Sequence, residues 1–415
     1  MARKYSLKNM ENEKAHGFEF RWLVLSASFV IMMIISIYQY SWFLFADAIK
    51  INYNWNLASI GLTFTIFTYT ATYIQPFSGF IADSYGPMKI AIAASLLTAI
   101  GFILVSYAKS LIYFYLFYGL GGLGVGILYG LSAACAIKWF PDKRGFATGL
   151  AVFGFGAGTA LFNWIIIWLL DDKGVSTTFR LLGLGMMFIL VPLSLFFRYP
   201  KENRKFRLSS KEIHLRDSSY YKPSEMMRTY QWFLIYFSFT ITVSIVLIFG
   251  AHMKMMADEF KIPNEYFSLL LILFPLGNGL SRVLAGIISD KIGREKTMVI
   301  FYSLLSLSIF FLVILNPIPI IFLLLVFIAA LLGGAPFALY PATIGDYYGS
   351  KYATSNYGIT YTAKAWAGLI SGWLSGYLAI QFGSYRFPLV LIAICSLIAA
   401  LISNPKLMKC PVKIR

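Results

Sequence analysis

Charge is what this sequence has least of. Only 13% of its 415 residues are Asp, Glu, Lys or Arg, while 59% are hydrophobic and 18% aromatic. So few charges cannot coat a soluble domain of that length. Cysteine and histidine are scarce too, at three each. Cys135 and Cys395 sit in apolar runs and Cys410 lies near the C-terminal end, with no metal-ligand spacing and no external pair to bridge. Three free thiols are expected, with no metal and no cofactor. The first 21 residues are polar and the first apolar run is too long for a cleaved leader, so no signal peptide is expected.

Apolar runs are abundant instead. Stretches of about 20 residues, each able to cross a hydrocarbon core ~30 Å thick, recur along the chain. They predict twelve spans near 22–47, 57–81, 89–108, 111–137, 146–170, 179–197, 230–253, 266–289, 297–315, 319–345, 355–380 and 386–403. The net charge of +17 would suit nucleic acid, but its distribution argues otherwise. With both termini inside, the cytoplasmic segments carry 26 of the 35 Lys and Arg residues and the external loops only seven. That is the positive-inside bias of a multi-pass protein of the cell membrane, with attraction to anionic headgroups as a by-product. No nucleic-acid partner is expected.

The segment from Arg198 to Arg228 interrupts the rhythm with nine basic and four acidic residues. It divides the chain into a cytoplasmic tail (1–21), a six-span half (22–197), a cytoplasmic linker (198–229), a second half (230–403) and a tail (404–415). The halves repeat. GFIADSYGPMK (79–89) and GIISDKIGREK (286–296) share G-x-x-x-D-x-x-G-x-x-K at an offset of 207 residues. WFPDKRGFATG (139–149) has a weaker counterpart in YYGSKYATSNYG (347–358). Duplicated six-helix units are typical of transporters, with the substrate at the repeat interface. Twelve spans, a long central loop and the doubled motif resemble the major facilitator superfamily. The resemblance implies an all-α membrane protein, two six-helix bundles related by pseudo-two-fold symmetry. It also implies a gating seam at Gly79, Asp83, Gly86, Gly286, Asp290 and Gly293, where the motif carboxylates meet helix ends and basic residues.

All 18 acidic residues fall in loops, tails or span ends. Two cations do not: Arg282 in the eighth span and Lys364 in the eleventh, within GITYTAKAWAGLISGW (358–373). Arg282 precedes the motif Asp290 by eight residues, a depth of about 12 Å at ~1.5 Å per residue, and Lys364 lies at a similar depth. On helical spacing Lys364 shares a face with Tyr357, Thr360, Tyr361, Gly368 and Ser371. Arg282 shares one with Asn278, Gly279, Ala285, Gly286 and Ser289. Two such faces would line a cavity. A central cation costs about 2.5–3.5 kcal/mol on insertion scales, and no acid in a neighbouring span offsets it. The substrate would then be the missing anion.

A guanidinium suits a carboxylate or phosphate and an ammonium is a compact charge. Two cations favour a dianion, or a monoanion with one charge left over. A polyanion such as a nucleotide would want a larger basic cluster, so a small carboxylate is expected. Gln39, Tyr40, Tyr129 and Tyr361 would supply hydrogen bonds and walls. Proton-driven carriers commonly relay through an intramembrane acid or histidine, and none is visible. Closing the empty cavity would bury two unpaired cations, so the loaded form should switch faster than the empty one. That asymmetry predicts exchange, with deprotonation of Lys364 as the one route to proton coupling.

QYSWFLFADAIK (39–50), WFPDKRGFATG (139–149), SDKIGREKTM (289–298) and NYGITYTAKA (356–365) resemble the oxalate/formate antiporter family, relatives of the monocarboxylate transporters. The resemblance implies dicarboxylate binding by Arg282 and Lys364, with Gln39, Tyr40 and Tyr129 lining the pocket; Asn278 and Tyr361, beside the cations on helical spacing, and Phe337 are further candidates for the site. It departs at Gly333 and Phe337, where the family's oxalate carrier has Trp and Tyr. A larger, less polar pocket is expected there, suited to lactate, pyruvate or another short acid.

Other readings are weaker. A membrane enzyme would need a nucleophile, metal cluster or acid/base pair within the spans. A channel is disfavoured by the two-fold repeat. The glycine run GLGGLGVG (119–126) lacks the Lys-Ser/Thr ending of a phosphate loop and is expected to pack helices. A proton-coupled monocarboxylate symporter is the main alternative, and a transporter-like carboxylate sensor a distant one. A monomer is expected.

Overall fold

The computed structural model of the chain describes residues 2–55, 57–200, 220–315 and 318–411. Most of the linker expected at 198–229, and the last four residues of the C-terminal tail, lie outside the described residues. Every regular element among them is helical. A helix satisfies its own backbone hydrogen bonds, which is why apolar runs of this length fold so in lipid.

Among the described residues, eight helices are by themselves long and apolar enough to cross a membrane. One of them, Arg144–Ser194, is two spans joined at Gly174, whose φ of 75° and ψ of 171° redirect the chain. The expected loop over 171–178 is therefore a single-residue kink. Three further helical segments complete the twelve. Leu57–Tyr85 is diluted by five threonines, the eleventh span is broken into short pieces between Ala353 and Phe382, and Arg386–Ile402 is short.

Span 8 lies along span 5, and the start of span 11 lies along span 2, so the halves meet at two related seams. Small residues allow that approach, as in other membrane interfaces. A Cβ at Gly79 would stand 2.8 Å from the Thr354 carbonyl, and one at Gly156 would stand 2.8 Å from Gly279 Cα. Gly124 and Gly126 of the glycine run pack against the Ala94 and Ala71 carbonyls of spans 3 and 2. Close helix packing is their role.

The first span is interrupted twice, at Ser36 and Ser41, so that Ile37–Tyr40 forms its own turn. Such breaks strand backbone carbonyls, which must find donors in a water-poor interior. The Tyr118 hydroxyl donates to the Tyr38 carbonyl (2.7 Å), and Ser41 Oγ donates to Asn163 Oδ1 (2.7 Å). The break sets Gln39 and Tyr40 towards the centre. The eleventh span breaks at Thr362, just before Lys364, and carries a π turn at Ile370–Leu374.

The repeated loops are built alike. Gly86 (φ 88°, ψ 157°) ends span 2 and Gly293 (φ 97°, ψ 156°) ends span 8, and the next helix begins at the following residue. That backbone region is essentially glycine's alone and costs other residues about 1–3 kcal/mol. No atom lies within 4 Å of a Cβ at Gly86, so Gly86→Ala introduces backbone strain without a clash. Gly86→Ala and Gly293→Ala should each lower stability by about 1–3 kcal/mol in detergent thermal unfolding. An unchanged melting temperature would show that the turn has another low-energy form.

Candidate functional site

The two interior cations lie at the junction of the halves, each held by neutral groups. Lys364 Nζ donates to Gln39 Oε1 (3.0 Å) in span 1 and to the Tyr361 hydroxyl (3.3 Å) one turn back. Arg282 Nη1 donates to the Val152 carbonyl (2.7 Å) in span 5. Arg282 Nη2 donates to Asn278 Oδ1 (2.8 Å) and reaches the Tyr40 hydroxyl at 3.5 Å. The guanidinium carbon stands 4.7 Å from the Phe337 ring centroid, a cation–π contact that is worth about 2 kcal/mol when desolvated. Tyr129 packs on Tyr361 with ring centroids 4.9 Å apart. The two cations and the six residues singled out with them therefore meet in one cluster, joined through Phe155, which packs on both Tyr40 and Tyr129.

Among the described residues, no Asp or Glu forms an ion pair with either cation. Their helices turn as the spacing predicts: Trp366, Leu280 and Leu284 are exposed on the outer surface, while Asn278, Ala285 and Tyr361 are buried.

A cavity of about 320 Å³ opens beside Lys364. Gln39, Tyr40, Phe64, Thr65, Thr68 and Tyr69 line it from the first half. Leu247, Gly250, Lys364, Ala365, Gly368 and Ser371 line it from the second. These residues lie towards the ends of spans 2, 7 and 11 that are remote from the Gly86 and Gly293 loops, so the cavity leads to the face opposite those loops.

Three expectations change here. Tyr129, expected to line the pocket, packs on Tyr361 behind it and is not part of the cavity wall. Arg282 is 1% exposed and does not line the cavity, because Tyr40, Asn278 and Phe337 enclose it. Gly333 leaves no extra room either: a Cβ there would meet Val246 Cγ2 at 2.6 Å, so span 7 fills the space. The cavity wall from span 2 was not singled out from the sequence. Its signal was Thr65, Thr68 and Thr72 of LTFTIFTYTATY (62–73), which recur on one helix face.

The motif loops lie on the other face, and there the halves are locked together. Asp290 accepts from the backbone N–H of Gly145 (2.9 Å) and of Phe146 (2.8 Å), the first turn of span 5. Asp83 accepts from Ser355 N (2.8 Å) and Ser355 Oγ (2.7 Å), the first turn of span 11. Each motif carboxylate thus caps a helix of the opposite half, where unpaired N–H groups and the helix dipole favour negative charge. Lys138 pairs with Asp83 at 2.7 Å, and Arg294 pairs with Asp290 at 2.6 Å. Gly286 abuts Gly145 and Gly79 abuts Thr354, so two of the motif glycines sit at backbone contacts across the seam.

The arrangement is a polar cluster that opens to one face and is shut from the other. Comparison with known proteins agrees with it. The family model described as Major Facilitator Superfamily matches residues 24–255 and 232–407. The chain belongs to the major facilitator superfamily. It is 30% identical over 380 residues to the oxalate:formate antiporter of Oxalobacter formigenes, covering 91% of this chain and 90% of that one. A monocarboxylate transporter 13 of Bos taurus is 31% identical over 146 residues, 34% of this chain and 33% of its own. The major facilitator transporter FucP, in its outward conformation, superposes with a TM-score of 0.71 at 12% identity, covering 91% of this chain and 97% of that one. The protein is an integral, multi-pass transporter.

Sequence reasoning also missed the centre of the superfamily seam. Asp346 bridges the halves, pairing with Arg144 of span 5 (2.8 Å) and Arg294 of span 9 (2.8 Å). Arg144 further donates to the Gly345 carbonyl at 2.8 Å. All three charged side chains are about one-tenth exposed. Removing one partner of such a pair costs about 3–5 kcal/mol, because the other charges stay buried. Asp346→Ala should therefore open the seam. In a Cys395→Ser, Cys410→Ser background, alkylation of buried Cys135, one turn from Lys138, should accelerate several-fold. An unchanged rate would mean that the seam holds without this bridge.

Proposed function

We propose that the protein exchanges small carboxylate anions by alternating access, with Lys364 and Arg282 as the substrate's counter-charges. One observation carries the reading: two interior cations held only by neutral dipoles, one of them opening on a cavity. Such charges are functional by default, and a carboxylate from outside would complete them. Gln39, Tyr40 and Tyr361 would orient it near Lys364, and Asn278, Phe337 and Tyr129 would act around Arg282. The cavity is at the small end of ligand pockets, which favours acids of few carbons.

The charge bias supports a cytoplasmic motif face, and with it an outward-facing state of a plasma-membrane protein with both termini inside. The carrier acts as a monomer. Asp83 and Asp290 with Gly79, Gly86, Gly286 and Gly293 form the inner gate, each carboxylate holding a helix start of the other half. Its opening costs those caps and pairs, which favours movement when an anion is present to offset the exposed cations. Exchange follows from that bias, and the oxalate:formate antiporter relative supports it. Proton-coupled symport is the second reading, supported by the monocarboxylate transporter relative and by an amine, Lys364, at the cavity wall.

Uptake of labelled oxalate, formate, lactate and pyruvate into proteoliposomes tests both. Exchange predicts uptake only into preloaded vesicles, whatever the pH gradient, and at least about a ten-fold loss in Lys364→Gln, equivalent to ~1.4 kcal/mol. Uptake into empty vesicles under an inward proton gradient would establish symport instead. Binding with no movement of any acid would make the protein a sensor.

A further inference from the structure

Two hydroxyls on the cavity wall have already given away their hydrogens. Thr68 Oγ1 donates to the Phe64 carbonyl of its own helix at 2.9 Å, and Ser371 Oγ donates to the Gly368 carbonyl at 3.2 Å. A carbonyl can only accept, so in both bonds the hydrogen belongs to the hydroxyl. Each oxygen can still accept, and neither can donate to a ligand without leaving its carbonyl. Ser371 lies in the π turn Ile370–Leu374, and its carbonyl is 3.0 Å from His252 Nε2 of span 7. Such turns recur at functional sites.

The rest of the polar wall has the opposite character. Lys364 is a donor, and because an ammonium cannot accept, its 3.0 Å contact ends on the oxygen of Gln39. The nitrogen of that amide is then a second donor. The Tyr40 hydroxyl accepts from Arg282 Nη2 at 3.5 Å and keeps its own hydrogen to give. These five residues line the same cavity, with the donors on Lys364 and span 1 and the acceptors on Thr68 and Ser371. A carboxylate satisfies the donors. At neutral pH it carries no hydrogen for the acceptors.

We propose that the cavity selects a carboxylate that also carries a hydroxyl, a short 2-hydroxy acid such as lactate or glycolate, with Thr68 and Ser371 accepting from that hydroxyl. The proposal rests on the carboxylate reading above and narrows it. Oxalate, formate and pyruvate bring acceptor oxygens only. In this cavity they would set lone pairs against those of Thr68 and Ser371, or force each hydroxyl off its carbonyl. A hydroxy acid requires neither change. Sites that bond a substrate hydroxyl discriminate most when the abandoned partner stays dry. Here water can enter the open cavity, so the preference is set by the net value of one or two hydrogen bonds.

The test is competition against exchange of labelled lactate in proteoliposomes holding the full chain. Lactate should half-saturate about ten-fold below pyruvate, and glycolate about ten-fold below propionate, in which a methyl replaces the hydroxyl. Thr68→Val keeps the shape and loses the oxygen. It should raise the lactate value about five-fold and the pyruvate value less than about two-fold, a split that misfolding would not give. Ser371→Ala should split the two acids in the same direction, and Thr68→Ser, which keeps the hydroxyl, should retain the wild-type preference. Pyruvate and propionate competing as well as the hydroxy acids, or a wild type that carries only oxalate or formate, would overturn the hydroxyl site and leave the carrier reading intact. So would equal shifts for lactate and pyruvate in Thr68→Val and Ser371→Ala. A wild type that moves none of the acids would overturn the carrier reading and this one together.

Discussion

Two positive charges in a membrane interior, with only neutral groups to hold them, are the constraint around which this protein is organised. Each dipole that touches them returns part of the hydration they lose, and together they return enough for a fold but less than a carboxylate would. The helix breaks follow from this. The interruption of span 1 at Ser36 and Ser41 brings Gln39 and Tyr40 to the cations, and the break of span 11 at Thr362 sets Lys364 beside them. The broken turn presents two adjacent side chains, Gln39 and Tyr40, to one cavity. The cost of each break is carried by a specific donor, such as the Tyr118 hydroxyl on the Tyr38 carbonyl.

The acids that the centre lacks are gathered at the motif face. There they do work that needs both charge and proximity to water, capping helix starts across the seam and pairing with Lys138, Arg144 and Arg294. Placed in the centre, the same carboxylates would neutralise the cations permanently and leave nothing for an external anion to satisfy. On the proposed reading, keeping the signs apart makes one region a lock and the other a receptor. The lock is of many modest contacts rather than one large one, which suits a seam that must open and close. The pseudo-two-fold relation shows in the pairing itself: span 5 is capped from span 8 and span 11 from span 2.

Much of this was legible in the sequence, and the reason is depth. Counting residues from a loop places Arg282 and Lys364 in the interior, and a motif repeated at a fixed offset places Asp83 and Asp290 at equivalent loops. The faces of spans 8 and 11 followed from helical spacing. What did not follow was register between helices. That Asp346 would meet both Arg144 and Arg294, or that Thr65 and Thr68 would face Lys364, depends on how two spans slide and rotate against each other. One chain's periodicity carries no such information. Gly333 is the instructive case: substitution of a bulky residue suggested a larger pocket, but Val246 from span 7 occupies the space. Composition at one position cannot report its neighbour's side chain.

The same geometry bears on why an exchanger would differ from a free carrier. Parting spans 5 and 8 removes Arg282 from the Val152 carbonyl and Tyr40, and parts Asp290 from the first turn of span 5. If the site is empty, those losses have no compensation beyond the water that enters. If a carboxylate is present, its charge-assisted bonds to the guanidinium are stronger than the neutral ones given up. A ligand shifts a two-state equilibrium only through such differential contacts. On the proposed reading, the switch is coupled to substrate because the residue that binds it is also a bolt of the gate. A carrier built so needs no intramembrane acid to enforce exchange. On that reading, its specificity for anions and its reluctance to move empty come from two cations without an acidic partner, Arg282 and Lys364.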